Sequence, residues 1–326
     1  MAHSAAPQMS DSLASSARVK FWGVRGSIPT PGPTTIRYGG NTSCVEIRAD
    51  GEIIVLDAGS GIRLLGQSLQ REFGSRPINL ALLITHTHWD HIQGLPFFLP
   101  AYSPKNQIRV YGYDGTRTRL AEILAGQMET PFFPVSLSDL PGKIQIEELN
   151  EMDFEIGNVR VRSKFLNHPG VCAGYRVCTT AGSIAFLPDN EPFEQLDVQM
   201  RNRGVENSGV RQFKSASEER ADLVEFLRDV DALILDSQYT DEEYRTHIGW
   251  GHGSLSSVVS LAAEANAKRL VLFHHDPNHD DAMVDRMTEK ARMQIAQIGK
   301  AITVEAAQEG GELILGSAAA PAALES

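Results

Sequence analysis

Cysteine is scarce: the 326 residues hold three, Cys44, Cys172 and Cys178, an odd number at spacings that fit no disulfide framework and that suit a reducing compartment. Long apolar runs are missing. No stretch of about 18 apolar residues could span a membrane, and the first residues contain no apolar segment of signal-peptide length. A cytoplasmic location without a membrane partner is the expectation. Basic residues are also short, with 30 Lys and Arg against 41 Asp and Glu and a formal net charge of −11. A protein that coats nucleic acid needs a local excess of Lys and Arg, so long nucleic acid is not an expected partner. A small anionic substrate held by metal ions is compatible with that balance. Hydrophobic content of 42% and charged content of 22% are ordinary globular values, which excludes collagen-like and low-complexity chains. A chain of this length can bury roughly three quarters of its unfolded surface.

Residues 1–17 are rich in Ala and Ser without periodicity and read as a disordered leader, and residues 316–326 read as a flexible tail. The single domain between them, residues 18–315, has no linker and no repeat. Short β-type runs lie at Val19–Val24, Cys44–Ile47 and Ile53–Leu56. A helix follows from Ser60, with Ile62, Leu65 and Leu69 on one face. Leu80–Ile84 is an apolar run of strand length. A second set comprises Ile144–Glu148, Val159–Phe165, Tyr175–Val177 and Ile184–Leu187, then a helix near Ser217–Arg228, strand Ala232–Leu235 and helix Leu255–Ala265. Strand Leu270–Phe273, helix Asp281–Ile298 and two short strands close the chain. Strands clustered in two halves with helices after them predict an α/β fold of two face-to-face sheets with helices outside. The segment Asn190–Ser215 is polar and irregular, and stretches of that kind are mobile or functional.

The strongest chemical signal is His86-Thr87-His88-Trp89-Asp90-His91, directly after an apolar strand. Histidines two apart on an extended chain project to one side, so His86 and His88 can chelate one ion. Asp90 and His91, from the following turn, offer an oxygen and a nitrogen to a second ion nearby.

This pattern resembles the metallo-β-lactamase superfamily, whose signature is His-x-His-x-Asp-His after a β-strand. Further landmarks appear in that family's order. Ile53–Gly59 is similar to the early strand whose Asp, here Asp57, supports the metal loop. Phe165–Pro169 is similar to the third motif, Phe186–Asn190 to the fourth and Leu272–Asp276 to the fifth. The resemblance implies a four-layer αββα sandwich, the metallo-β-lactamase fold. It implies His168 as a ligand of the first ion, Asp189 as the bridging carboxylate and His274 as the last ligand of the second ion. His275 competes with His274, because a strand turns only one of two adjacent residues inward; its other role is packing or a supporting hydrogen bond. His279, His247 and His3 read as solvent-facing.

Two divalent ions would activate a water for attack on a carbonyl or phosphoryl centre. Mixed imidazole and carboxylate ligation favours zinc, with manganese or iron also compatible. Gly251-His252-Gly253-Ser254 resembles the His-Ser/Thr element of the ribonuclease Z-like and cyclic-phosphate phosphodiesterase branch, which implies His252 as general acid to the leaving alkoxide. Ala232–Thr240 resembles that branch's segment ending in Glu-Ala-Thr, with Asp236 in place of Glu, and implies an Asp236–His252 dyad. The plainer readings are a turn-capping Asp236 and a loop histidine beside Trp250. Asp90, His252 and Asp236 are therefore the expected catalytic residues. Asn41 and Thr42 are candidate substrate contacts by the same resemblance, with tight turns as the plainer reading. The function expected is hydrolysis of a compact phosphodiester such as a cyclic nucleotide or other cyclic phosphate. A thioester or lactone hydrolase and a non-catalytic metal-binding scaffold or sensor are the alternatives. A homodimer is compatible with the resemblance.

Overall fold

The computed structural model describes residues 16–113, 118–195 and 214–316. Two seven-stranded sheets pack face to face. The first holds β1 (Ala17–Gly23), β2 (Cys44–Ala49), β3 (Glu52–Leu56), β4 (Asn79–Leu83), β5 (Gln107–Gly112), β6 (Lys143–Glu148) and β14 (Glu312–Leu315), in the order β14-β1-β2-β3-β4-β5-β6. The second holds β7 (Asp153–Ile156), β8 (Val159–Phe165), β9 (Ala173–Thr179), β10 (Gly182–Leu187), β11 (Ala232–Asp236), β12 (Arg269–Phe273) and β13 (Thr303–Ala306), in the order β13-β12-β11-β10-β9-β8-β7. Helices cover both outer faces, which gives the αββα sandwich that the sequence predicts.

Strand pattern follows burial. β1 alternates buried and half-buried residues, the period-2 signature of a sheet with two unlike faces. The central strands β4, β11 and β12 are buried almost throughout, because parallel strands with both faces covered read as continuous apolar runs. One core fills the space between the sheets, with Phe273 against Phe186 at a ring separation of 5.3 Å and against Phe21 at 6.3 Å. Two further cores lie between each sheet and its helices. The helix Ile62–Phe73 buries Ile62, Leu65 and Leu69 on one face, as the spacing predicts. The helix Asp281–Ile298 begins at Asp280, whose carboxylate accepts the Met283 N–H, and stops at Gly299, whose φ of +75° suits glycine.

Two expectations need correction. Ile144–Glu148 does not open the second set: β6 pairs in parallel with β5 and forms the edge of the first sheet. The leader boundary moves, because Ala17 is already buried in β1 and paired with Leu315. The rest of the leader, including His3, and the tail beyond Gly316 lie outside the described residues. Most of the irregular 190–215 stretch does too, but Asn190 and Glu191 at its start are buried. Among the described residues no helix is long and apolar enough to cross a membrane.

The parallel strands β3, β4, β10, β11 and β12 all run out toward one edge of the sandwich, and the chemistry-bearing residues follow their C-terminal ends. There the sheets are tied together: the Tyr175 hydroxyl donates to the Ile84 carbonyl at 2.7 Å and the Ala173 N–H to the Thr85 carbonyl at 2.9 Å. Because Phe273 fills the space between the sheets, Phe273→Ala should cost about 3–5 kcal/mol. A lowered urea midpoint at unchanged slope would report it; a loss below about 0.5 kcal/mol, the level of an ordinary surface change, would contradict this packing.

Candidate metal centre

Each loop of the centre leaves a strand end. His86 and His88 follow β4, and Asp90 and His91 lie on the single helical turn Trp89–Ile92. His168 follows β8, Asp189 follows β10, Asp236 ends β11 and His274 follows β12. These side chains meet in two groups. His86, His88, His168 and Asp189 place one donor atom each within 4.8 Å of one another, so do Asp90, His91 and His274, and His252 comes as close to Asp189 and His274. In the first group His88 Nδ1 lies 3.0 Å from His168 Nε2, and Asp189 Oδ2 is 3.7 Å from His86 Nε2 and 3.6 Å from His168 Nε2. In the second group Asp90 Oδ2 is 3.2 Å from His91 Nε2 and 3.1 Å from His274 Nε2. Asp189 Oδ1 is 3.1 Å from His91 Nε2 and 3.4 Å from His274 Nε2. The two oxygens of Asp189 thus face different donor sets.

The donors fit divalent cations. Tetrahedral ligands at zinc distances stand about 3.3 Å apart, and the observed separations bracket that value. His86 Nε2, His91 Nε2 and Asp189 Oδ1 are buried without a hydrogen-bond partner, although His91 and Asp189 approach to contact distance. Buried polar atoms left unpaired are costly, and a cation between them removes that cost.

The outer ring nitrogens are held by the chain, which fixes the tautomers. His91 Nδ1 donates to Asp57 at 2.7 Å, His168 Nδ1 to the Gly251 carbonyl at 2.9 Å and His274 Nδ1 to Gln238 Oε1 at 2.9 Å. Each leaves Nε2 with its lone pair facing inward. Asp57 is itself fixed by the Ser43 hydroxyl and by the Thr85 N–H and hydroxyl. Gly251 has a φ of +89°, and a Cβ there would come 2.2 Å from His168 Nδ1, so only glycine allows this approach.

Without a cation, electrostatics keep the first group neutral and draw His91 toward the charged state. Burial, reinforced by neighbouring imidazoles, pushes His86, His88 and His168 below the ordinary histidine pKa, which keeps them neutral. Burial opposes charge on Asp90, but His91 and His274 hold it well below the usual carboxylate range. Asp189 is lowered likewise, against burial, by His274, His91, His86 and His168. Burial also opposes charge on His91, yet Asp90, Asp189 and Asp57 raise it well above the usual value.

Beside the two groups, His252 Nδ1 donates to Asp236 Oδ2 at 3.0 Å. Its ring stacks on His274 and meets His168 edge-on, with centroids 5.0 and 5.4 Å apart. Burial disfavours its charge, but Asp236, then Asp189 and Asp90, outweigh burial and push it up to about 9. Asp236 also accepts from the backbone N–H groups of Asn190, Gly253 and Gln238.

Other expected residues lie differently. His275 turns away from the centre and donates from Nε2 to the Ala307 carbonyl, and burial lowers it to about 3. His279 is buried rather than solvent-facing: its Nε2 bonds Glu243 and its carbonyl accepts from the buried Arg25. His247 is half-buried, stacked on Tyr239. Asn41 and Thr42 both make hydrogen bonds within the fold. Thr42 is buried with its hydroxyl accepting from Ser60 and Gln93, and the Asn41 side chain bonds Glu309 and Ser60, so both pin loops.

The sequence reading missed Gln238 and Glu191. Buried Glu191 accepts from the Tyr244 hydroxyl and from the N–H groups of Gly249 and Gly251. It therefore holds the loop that carries both the His168 acceptor and His252; its place two residues after Asp189 was the available signal. Because Asp57 orients His91, Asp57→Ala should weaken metal binding about 10- to 100-fold. Titration of metal-free protein with zinc measures it, and unchanged affinity would remove Asp57 from this role.

Comparison with known proteins agrees with this geometry. A family model described as Beta-lactamase superfamily domain matches residues 53–206. Ribonuclease Z of Haloarcula marismortui is 22% identical over 304 residues, covering 84% of this chain and 91% of that protein. Ribonuclease Z of Pyrococcus horikoshii is 24% identical over 285 residues, covering 80% and 87%. Among solved structures, the metallo-beta-lactamase fold protein YhfI from Bacillus subtilis superposes with a TM-score of 0.62 at 14% identity, over 91% of this chain and 99% of that one. The short form of human tRNase Z gives 0.56 at 21% identity, over 91% and 98%. With two facing sheets, the histidine and aspartate cluster at their strand ends and these likenesses together, the chain has the metallo-β-lactamase fold and is similar to that superfamily's domain over residues 53–206.

Proposed function

We propose that this chain is a dinuclear metal-dependent phosphodiesterase in which Asp189 bridges two cations and the Asp236–His252 dyad protonates the leaving alkoxide. His86, His88, His168 and Asp189 would hold one ion; Asp90, His91, His274 and Asp189 would hold the other, with zinc favoured by the mixed nitrogen and oxygen donors. Such a pair supplies Lewis acidity at a phosphoryl oxygen and lowers the pKa of a nearby water.

The observation that carries the reading is the dyad beside a shared carboxylate. With Nδ1 donating to Asp236, His252 keeps Nε2 for proton transfer. Asp236 favours the charged ring, which is the state required of an acid. An alkoxide is a poor leaving group and needs that proton, and positioned acids contribute about 10²–10⁴-fold. A thiolate leaves without one, so the dyad favours phosphodiester over thioester chemistry. Asp236 is fully buried and acts through His252 as a positioning residue.

A compact phosphodiester remains the preferred substrate on charge grounds. The relatives named Ribonuclease Z bring RNA into the set to be assayed. Metal-loaded protein should be offered bis-p-nitrophenyl phosphate, cyclic nucleotides, RNA, thioesters and lactones side by side; preference for the carbonyl substrates would overturn the proposal. His252→Ala should keep its metal content while losing about 10²–10⁴-fold in turnover of an alkyl ester such as a cyclic nucleotide. Its loss on bis-p-nitrophenyl phosphate, whose p-nitrophenolate leaves unaided, should be much smaller. Full activity of the variant on the cyclic nucleotide would refute the acid role.

A further inference from the structure

The metal loop has a second side that the chemistry above does not use. Thr87 and Trp89, the chain neighbours of the exposed His88, form part of the wall of a cleft of about 560 Å3. Phe97, Phe132 and Phe133 also line it. Trp89 is 80% exposed, Phe132 79% and Phe97 54%. Three large aromatic side chains left open around one concave surface are more than scattered surface residues, and such patches mark binding sites. Phe97 meets Phe133 edge-on, with centroids 5.4 Å apart at 85°, so part of the wall is already ordered. Among the described residues none that lines the cleft is charged, and its polar edge comes from groups such as Thr87 and Gln127.

We propose that this cleft is a specificity subsite that takes a flat, uncharged aromatic arm of the phosphodiester substrate. The inference rests on the phosphodiesterase reading and deepens it. A phosphodiester carries one negative charge at phosphorus and none on its arms. The centre gathers the donors that would hold cations for the charged part. The adjoining cleft offers no counter-charge, so it suits an uncharged arm and not the continuation of a polyanion. Rings of Trp and Phe recognise flat π-systems by stacking and edge contacts, and the cleft's volume falls within the range of small-molecule sites.

The test compares two probes of equal charge on zinc-loaded protein by isothermal titration calorimetry: diphenyl phosphate, which carries two rings, and dimethyl phosphate, which carries none. The wild type should bind diphenyl phosphate roughly 10- to 100-fold more tightly, the value of burying one ring. Phe132→Ala, at a position too exposed to support the fold, and the double variant Phe97→Ala/Phe132→Ala should lose most of that preference. Both should keep the wild-type affinity for dimethyl phosphate. Equal affinity of the wild type for both probes would overturn the subsite, and so would a preference that survives in both variants. Turnover of bis-p-nitrophenyl phosphate by the same protein is measured in parallel. If that turnover persists while the ring preference is absent, only the subsite fails; if no phosphodiester is hydrolysed, the catalytic reading fails instead.

Discussion

A deficit of buried positive charge governs this structure. Asp57, Asp90, Asp189 and Asp236 are all buried within a few side chains of one another. Among the described residues no Lys or Arg pairs with any of them; their ionic partners are histidines alone. Removing carboxylates from water is expensive unless counter-charge is supplied. The elevated proton affinity of His91 and His252 expresses the same shortage, with rings drawn toward the charged state by surrounding carboxylates. Two divalent cations between the donor sets would meet that need, and the unpaired atoms of His86, His91 and Asp189 lie where they would be met.

The sandwich makes this concentration of charge possible. Parallel strands deliver their C-terminal ends to one edge, so residues distant in sequence, such as Asp90 and His274, meet within 3.1 Å. The inter-sheet core around Phe186 and Phe273 holds the strands, and the backbone of each ligand loop is then locked individually. Ser27 donates its N–H to Asp90 at 2.7 Å, Glu191 gathers the 249–251 loop, and Gln238 aims His274. A site built from strand ends, with the outer nitrogens of His91, His168 and His274 tied to the chain, needs little rearrangement to receive a ligand.

Much of this was legible in the sequence where the information is local. The His86–His91 spacing describes one loop, and the period of Asp281–Ile298 describes one helix, so both could be read without a partner. Pairing is not local. β6 reads like the strands that follow it, yet hydrogen-bonds to β5 in the other sheet. β5 itself and the short β7 were not anticipated, because six and four residues of mixed polarity carry no decisive period. His279 looked like a loop residue, but it is buried by Glu243 and Arg25, which come from far along the chain. His274 adopts a φ of +59°, rare for a side chain of its size. That turn of the backbone sends His274 and His275 to opposite partners, where strand alternation had said only that one of the two could face inward and the resemblance had implied His274.

The balance of charges across the surface and the centre makes the account open to a direct check. Anomalous diffraction from crystals grown with zinc locates each ion independently of any assay. Two peaks should appear, one between His86, His88 and His168 and one between Asp90, His91 and His274, each about 2.0–2.2 Å from a different oxygen of Asp189. A single peak, or peaks that leave Asp189 without a bond to both, would contradict the proposed sharing of Asp189 between two ions.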